Sequence, residues 1–312
     1  GPAAAMASFL LTGLGMHVAQ TAGLALATDL ATEETRPRVV ALLYLMLLIG
    51  MVGSALIFAA LLEDFGYVRL IQVIQSAAVI TLVLNVVAML KQEARRPDLT
   101  DHALARPTFG NAWRDFISLP KARPLLWALG LGTMGFTMQD ILLEPYGAQV
   151  LGLSVSDTTL LTAMFASGMI LALILTSRRL DKGSDPIRVA STGILVGITA
   201  FAFVILSAPF QAPALFQVGA ALIGLGNGLF AVGMLTAAMV FGGDKMAGLT
   251  LGAWGAVQAA AAGVAMFSGG AIRDLVTGWA DAGLLGVALQ STASGYGAVY
   301  HIEIALLFIA LA

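Results

Sequence analysis

The sequence predicts an all-α, polytopic membrane protein, and three observations support this fold class. First, 59% of its 312 residues are hydrophobic and only 11% are charged, whereas an ordinary soluble domain has about 25% charged residues. Second, apolar stretches of about 20 residues, the length of a bilayer-crossing helix, recur along the chain. Third, basic residues are concentrated in alternate loops between these stretches.

Nine apolar segments each predict one transmembrane helix. In chain order they cover residues 3–27, 39–62, 68–90, 124–146, 158–177, 187–207, 212–241, 247–270 and 297–312. The chain opens inside an apolar stretch and its last segment is short, so we expect a fragment of a longer protein. Between the third and fourth segments, the polar stretch 91–123 predicts a loop that joins two helical bundles.

The Lys and Arg residues predict the orientation of these helices. All 16 of them except Arg69 and Arg273 fall in loops on one face of the predicted bundles. Cytoplasmic loops of membrane proteins carry an excess of Lys and Arg. We therefore expect the long central loop, 91–123, to lie in the cytoplasm.

The order of the helices predicts a major facilitator fold. Three crossings precede the central loop and six follow it, which is what remains of a six-plus-six arrangement when three helices are missing in front. Thr35–Arg38 precedes the second crossing and Gly243–Met246 the eighth, so the halves resemble each other. Repeated halves are typical of this architecture. We expect nine of twelve transmembrane helices, three in residues 1–90 and six in residues 124–312, with the last helix truncated.

Two basic loops on the predicted cytoplasmic face are candidates for gates and headgroup contacts. The run from Arg178 to Gly183 partly matches the loop signature between the eighth and ninth helices of this fold, although its glycine is one position early. The candidate gate residues are Arg36, Arg38, Arg178, Arg179, Asp181 and Lys182.

The strongest site candidate is Gln139, Asp140 and Glu144, towards the end of an apolar run that begins near Leu125. An acid inside a membrane helix costs about 2.5 to 3.5 kcal/mol by insertion scales, so such acids face a cavity, a partner or the bundle interior. Asp140 and Glu144 are four residues apart, on one helical face. Pro145 is expected to kink or end the helix. The alternative role is structural, with the acids capping kinked backbone or pairing with a basic group on another helix.

Two histidines are further candidates. His17 lies in the middle of a segment with Gln20 about one turn away, and a hydrogen bond to a neighbouring helix is its plainer role. His301 and Glu303 lie near the start of the last segment and, being two residues apart, on different faces of a helix. We expect this pair to anchor the helix at the interface, and the alternative is that one of the two faces the bundle.

Several glycines and aromatic residues predict packing. Gly224, Gly226 and Gly228 lie inside a hydrophobic span rather than between a strand and a helix, so they indicate close helix contact and not a nucleotide loop. Aromatic residues such as Tyr146 and Tyr300 fall near predicted interfaces. We therefore expect them in the aromatic belts of a membrane protein.

Three stretches of the sequence are similar to one known family. They are QTAGLALATDL at Gln20–Leu30 continued by RPRVVALLY at Arg36–Tyr44, RLIQVIQ at Arg69–Gln75 leading to KQEAR at Lys91–Arg95, and the stretch from Gln139 to Leu153. In these phrases the chain resembles the bacteriochlorophyll delivery branch of the major facilitator superfamily, the PucC- and LhaA-like assembly proteins of purple phototrophic bacteria. The resemblance spans the whole chain.

The resemblance implies a factor that binds or delivers bacteriochlorophyll and assembles light-harvesting antenna complexes in the bacterial inner, intracytoplasmic membrane. The expected partners are antenna polypeptides, the reaction centre, pigment-synthesis enzymes and membrane lipids, without nucleic acid. His17 would ligate the chlorin magnesium, since neutral His is a common metal ligand. The candidate pigment- or client-binding residues are Gln139, Asp140, Glu144, His17, Gln20 and His301.

A secondary transporter that moves a small solute by alternating access is the alternative function. Asp140 and Glu144 would then be coupling groups, and the basic loops would be gates. Catalysis is the weakest class, because the sequence has no cysteine and shows neither Ser-His-Asp spacing nor a cluster of metal ligands. We therefore expect a protein that is not an enzyme.

Overall fold

The structure, a computed structural model, describes residues 2–32, 34–61, 66–90, 108–153 and 155–312, and some side chains within these ranges lie outside the description. All regular structure in the described ranges is helical. The α-helices are α1 (Pro2–Leu30), α2 (Arg36–Leu61), α3 (Tyr67–Met89), α4 (Phe109–Ser118), α5 (Ala122–Thr137), α6 (Leu143–Val150), α7 (Val155–Asp181), α8 (Pro186–Ser207), α9 (Pro213–Asp281) and α10 (Ala293–Leu311). Short 3-10 helices cover Met138–Ile141 and Val287–Leu289.

The chain divides into two compact units. The first consists of Gly1–Leu45 with Trp113–Ala312, and the second consists of Met46–Ala112. In the first unit α9 is the central helix, and it packs against α5, α7, α8 and α10. The second unit contains the end of α2 and the whole of α3.

Local sequence signals explain where α8 begins. Asp185 is the N-cap residue, and its carboxylate accepts a 2.9 Å hydrogen bond from the backbone N–H of Ile187. Pro186 occupies the first helical position, where a missing N–H costs nothing because the first turn has no intrahelical acceptor. The predicted segment 187–207 is therefore confirmed almost to the residue.

Glycine contacts hold α9 against its neighbours. A Cβ on Gly224 would collide with the backbone carbonyl of Phe165 in α7, and one on Gly226 would lie 2.8 Å from the carbonyl oxygen of Gly193 in α8. Gly228 approaches Ala172 of α7, since a Cβ there would come within 2.5 Å of the Ala172 Cβ. The predicted role of these glycines in close helix packing is confirmed.

The predicted loop between the seventh and eighth segments is corrected. Helical backbone continues through residues 243–246, and α9 runs for 69 residues. No proline interrupts this stretch, so the charged residues there do not break the helical hydrogen bonding. The apolar parts on either side, Pro213–Gly242 and Gly248–Asp281, are each long enough to cross a membrane.

Six helical stretches among the described residues are long and apolar enough to span a bilayer: Tyr67–Met89, Leu161–Asp181, Pro186–Ser207, Pro213–Gly242, Gly248–Asp281 and Ala293–Leu311. They confirm a multi-pass, all-helical membrane protein. The expected count of nine of twelve helices, the truncation of the last one and the division into bundles at 1–90 and 124–312 stay predictions.

The predicted central loop contains a helix in its second part. Residues 109–118 form α4, and residues 91–107 lie outside the described ranges. Phe116 of α4 is fully buried and packs with Ala122 and Ala253. The second part of the predicted loop is therefore helical, because the apolar residues of this polar stretch recur with helical spacing and find a partner in α9. The role of residues 91–123 as a connection between two bundles stays a prediction.

Candidate functional site

The acidic stretch lies at an interruption between two helices. Residues 138–141 change from α-helical to 3-10 geometry, and α6 begins only at Leu143. The expected interruption is confirmed, but its predicted cause is wrong. Pro145 is the third residue of α6, in the first turn, where its missing N–H is tolerated. The helix ends several residues earlier, so Asp140 and Glu144 belong to different helical segments and do not share one helical face.

A carboxylate from α10 explains the position of this interruption. The backbone N–H of Gln139 donates a 2.7 Å hydrogen bond to Oε1 of Glu303, so this N–H has an acceptor other than a carbonyl of its own helix. In addition, α9 comes close at Gly269, where a Cβ would lie 2.9 Å from the carbonyl oxygen of Met138. Both contacts favour a change of backbone geometry at Met138.

Glu303 is the most deeply buried acid in the described part of the chain. Its exposed fraction is 0%, which contradicts the expected interfacial anchor and confirms the alternative in which one residue of the pair faces the bundle. Oε2 of Glu303 and Oε1 of Gln139 are buried and have no hydrogen-bond partner among the described residues. The side-chain amide of Gln139 donates to the carbonyl oxygen of Phe136 at 3.3 Å and to Oδ1 of Asp140.

The three residues of the predicted site occupy different environments. Gln139 is 1% exposed, whereas Asp140 and Glu144 are exposed. Oε1 of Glu144 accepts a 2.9 Å hydrogen bond from the hydroxyl of Thr162 on α7. The structure therefore joins Gln139 and Asp140 but separates Glu144 from them, and it adds Glu303.

A polar network around Arg273 ties three helices together. Its Nη2 donates 2.8 Å hydrogen bonds to Oε1 of Gln149 on α6 and to the hydroxyl of Tyr296 on α10. That hydroxyl also donates to Gln149 Oε1 at 2.8 Å, and Nη1 pairs with Asp274 at 2.7 Å. The sequence predicted Arg273 in a loop, but it lies within α9, and a guanidinium with several planar donors suits a junction of this kind.

Aromatic side chains fill the space between this network and the acidic stretch. Tyr146 packs edge-on against Tyr296 and Tyr300, with ring centroids 5.4 Å apart in both pairs. Tyr146 and Tyr300 are buried, so their predicted place in an aromatic belt was wrong. The position of a residue in the sequence indicates how close it lies to the end of its helix. It does not indicate whether its side chain faces lipid or the bundle interior. The spacing of Tyr296, Tyr300 and Glu303, at i, i+4 and i+7, is a signal that would have placed them on one buried face.

An apolar groove of about 620 Å³ runs between α5 and α9. Its volume falls in the range of about 300 to 1,000 Å³ that is typical of ligand pockets. The last α5 residue in its wall is Met134, one turn before the interruption. The wall includes Arg123, Leu126, Trp127, Leu131, Val257 and Val264.

Comparison with known families decides where this chain belongs. The family described as PUCC protein matches residues 1–312. The chain belongs to the PucC family. A protein of Rhodobacter capsulatus described as "Uncharacterized protein in puhA-bchM intergenic region" is 52% identical over the whole chain. Protein PucC of Rhodovulum sulfidophilum is 49% identical over 88% of it. The chain spans 65% and 62% of the lengths of these two relatives.

The fold of this PucC family chain is that of a major facilitator transporter. A bacterial homologue of the iron transporter ferroportin, solved in its outward-facing state, superimposes with a TM-score of 0.62 over 96% of this chain and 68% of that protein. The two sequences are 16% identical, so the likeness establishes the fold and does not extend to function. The predicted fold class is confirmed.

Two of the predicted gate residues of this PucC family chain meet in the structure. Nε of Arg38, at the start of α2, lies 3.4 Å from Oδ1 of Asp181, at the end of α7. Arg178, Arg179 and Lys182 are exposed. The side chain of Arg36 lies outside the description. The ion pair joins the two basic loops, whereas the gating role itself stays a prediction.

Three candidate binding residues remain: His17, Gln20 and His301. The side chain of His17 is outside the description, and Gln20, one turn later on α1, is half-buried. His301 is exposed, and its Nδ1 donates a 2.6 Å hydrogen bond to the carbonyl oxygen of Gly297. Their roles in binding pigment or a client stay predictions.

Proposed function

We propose that this PucC family protein is an assembly factor for a bacterial light-harvesting antenna complex. In this proposal it binds or delivers bacteriochlorophyll and chaperones antenna polypeptides in the inner, intracytoplasmic membrane. The observation that carries the proposal is the match of the whole chain to the PucC family, together with the phrases that resemble the bacteriochlorophyll delivery branch. The proposed role is binding, without a catalytic step.

The groove between α5 and α9 supports a ligand with a long apolar part. Its walls are mostly apolar, which suits the isoprenoid tail of a bacteriochlorophyll, since apolar area removed from water drives such binding. Asp140 follows Met134 in the chain and would meet the polar edge of the pigment, and Glu144, on α6, would contact the pigment or an antenna helix. The central loop is proposed to be cytoplasmic, and its basic neighbours would contact lipid headgroups and pigment-synthesis enzymes.

The test is to purify the full-length protein gently from a phototrophic host, extract its pigment and identify the proteins that accompany it by mass spectrometry. We expect bacteriochlorophyll together with antenna polypeptides or the reaction centre. Leu131→Trp would fill the groove and lower the pigment content, whereas Leu195→Trp, at an exposed position on α8, would leave it unchanged. A colourless protein whose deletion leaves antenna assembly intact would contradict the proposal.

Transport of a small solute by alternating access is the second candidate, because the fold is shared with an outward-facing transporter. One fold hosts many functions, so this support is limited to the architecture. Solute uptake into proteoliposomes that is lost in Asp140→Asn and kept in Asp281→Asn would favour it. Asp281 is a suitable control because it is an exposed acid at the far end of α9.

A further inference from the structure

The contacts of Glu303 raise the question of its charge. The carboxyl group is fully buried, and one oxygen accepts the Gln139 N–H while the other has no partner in the described part of the chain. A buried carboxylate without a basic partner is strongly unfavourable, and such a group is protonated instead. The charge of Glu303 therefore depends on whether a basic group lies beside its carboxyl group.

Among the described side chains, the helices around Glu303 bring no free cation to it. The titratable groups beside it are Asp140 on the 3-10 helix and Tyr300 on α10 itself. The basic residues of α5 and α8, Arg123 and Arg188, lie near the opposite ends of those helices. Arg273 of α9 bonds to Gln149, Tyr296 and Asp274, and His301 is exposed.

The polar atoms around Glu303 that have no partner among the described residues are two acceptor oxygens and one hydroxyl, so donors are fewer than acceptors. Oε2 of Glu303, Oε1 of Gln139 and the hydroxyl of Tyr300 are all buried without partners among the described residues. An ionised Glu303 would add only acceptors, whereas a protonated carboxyl group adds one O–H donor. A buried acceptor that is left without a hydrogen-bond donor is unfavourable. The donor set thus favours a bound proton.

We propose that Glu303 and Gln139 form a proton-binding site inside the bundle, with Asp140 as its connection to the surface. Gln139 links the two acids, since its backbone N–H bonds to Glu303 and its side-chain amide bonds to Asp140. Because the Glu303 bond lies at the interruption between α5 and α6, loss of the proton would favour rearrangement of residues 138–142. The proposal does not depend on pigment binding or on solute transport.

The test is infrared spectroscopy of the purified full-length protein during a pH titration. We expect the carbonyl stretching band of a protonated carboxylic acid at neutral pH. This band should shift when the side-chain carboxyl group of glutamate is labelled with carbon-13. The band should be lost in Glu303→Gln and kept in Glu144→Gln, the matched exposed acid. Asp140→Asn should keep the band but slow its disappearance after a jump to high pH.

Four results would overturn the proposal, three of them concerning glutamate and the fourth concerning Asp140. The band could fail to shift with labelled glutamate, survive in Glu303→Gln, or vanish in Glu144→Gln. If Glu303→Gln does not fold, the isotope shift in the wild-type protein and the spectrum of Glu144→Gln still decide whether a buried glutamate other than Glu144 carries the proton. Loss of the band in Asp140→Asn instead would place the proton on Asp140 and contradict the assignment to Glu303.

Discussion

Helix α3 and the first apolar stretch of α9 differ sharply in burial, although α3 is at least as apolar. Only 6% of the apolar window of α3 is buried, against 67% for Pro213–Gly242. The α9 stretch carries repeated glycines, whereas α3 contains none and is rich in Val, Ile and Leu. Where lipid removes the hydrophobic drive between helices, small residues permit the close backbone approach that the α9 stretch shows.

Entry into the membrane and close packing against other helices are two different properties of a helix, and a hydropathy profile does not distinguish them. Hydropathy measures whether a helix enters a membrane, and both stretches satisfy it. Close packing against other helices requires a surface without Cβ atoms at the contact points, as at Gly224 and Gly226.

Gly224→Val should produce the largest loss of stability. Its side chain would collide with the backbone of Phe165, and overpacking of this kind costs about 3 kcal/mol or more when backbone must move. Thermal unfolding in a mild detergent would measure the effect. The controls are Gly263→Val on α9, where a Cβ meets nothing within 4 Å, and Ala78→Val on α3, where the side chain is exposed. Equal losses of thermal stability in all three variants would contradict the role of the glycine contacts in the packing of α9.

Leu235→Ala and Leu82→Ala should differ because the same side chain is removed from the two compared regions. Leu235 of α9 is 0% exposed and Leu82 of α3 is 64% exposed. We expect the first change to lower the free energy of unfolding by about 2 to 5 kcal/mol and the second to change it by less than about 0.5 kcal/mol. Denaturant titration of both variants checks this. A large loss in Leu82→Ala would mean that α3 is packed against a partner.

Arg273→Met should have an intermediate effect within the packed region. It removes the hydrogen bonds that join α9 to Gln149 and Tyr296, and a hydrogen bond to a charged group contributes about 1.5 to 3 kcal/mol. Arg178→Met, which changes an exposed arginine, is the matched control. If both variants unfold at the same temperature as the wild type, the Arg273 hydrogen bonds do not stabilise the contact of α6 and α10 with α9.

Arg38→Gln should have the smallest effect on stability. Its pair with Asp181 is 3.4 Å long and partly exposed, and such surface pairs contribute about 0 to 1 kcal/mol. The loss should shrink further in high salt, because exposed charges are screened. The double variant Arg38→Glu with Asp181→Arg should regain whatever the single change loses. A loss comparable to that of Leu235→Ala would contradict the assignment of this contact to the protein surface.

Much of the candidate site could be predicted from the sequence, but its internal connections could not. The acids at 140 and 144 stand out because charge is rare in an apolar run, and the glycines at 224 to 228 stand out because small residues recur at contact spacing. By contrast, Glu303 lies 164 residues from Gln139 in the chain. No local pattern places a carboxylate beside a particular N–H over such a separation.

The membrane character, the helical class and the stretch that holds the candidate site could be predicted from the sequence, because they depend on properties summed over about 20 residues or on local spacing. The tertiary structure alone decided which acid is buried, where α5 ends and which way Tyr146 and Tyr300 face. The physical reason is that these outcomes depend on the rotation and depth of whole helices relative to their neighbours. One carboxylate from α10, in contact with one backbone N–H, sets the end of a helix that proline was expected to end.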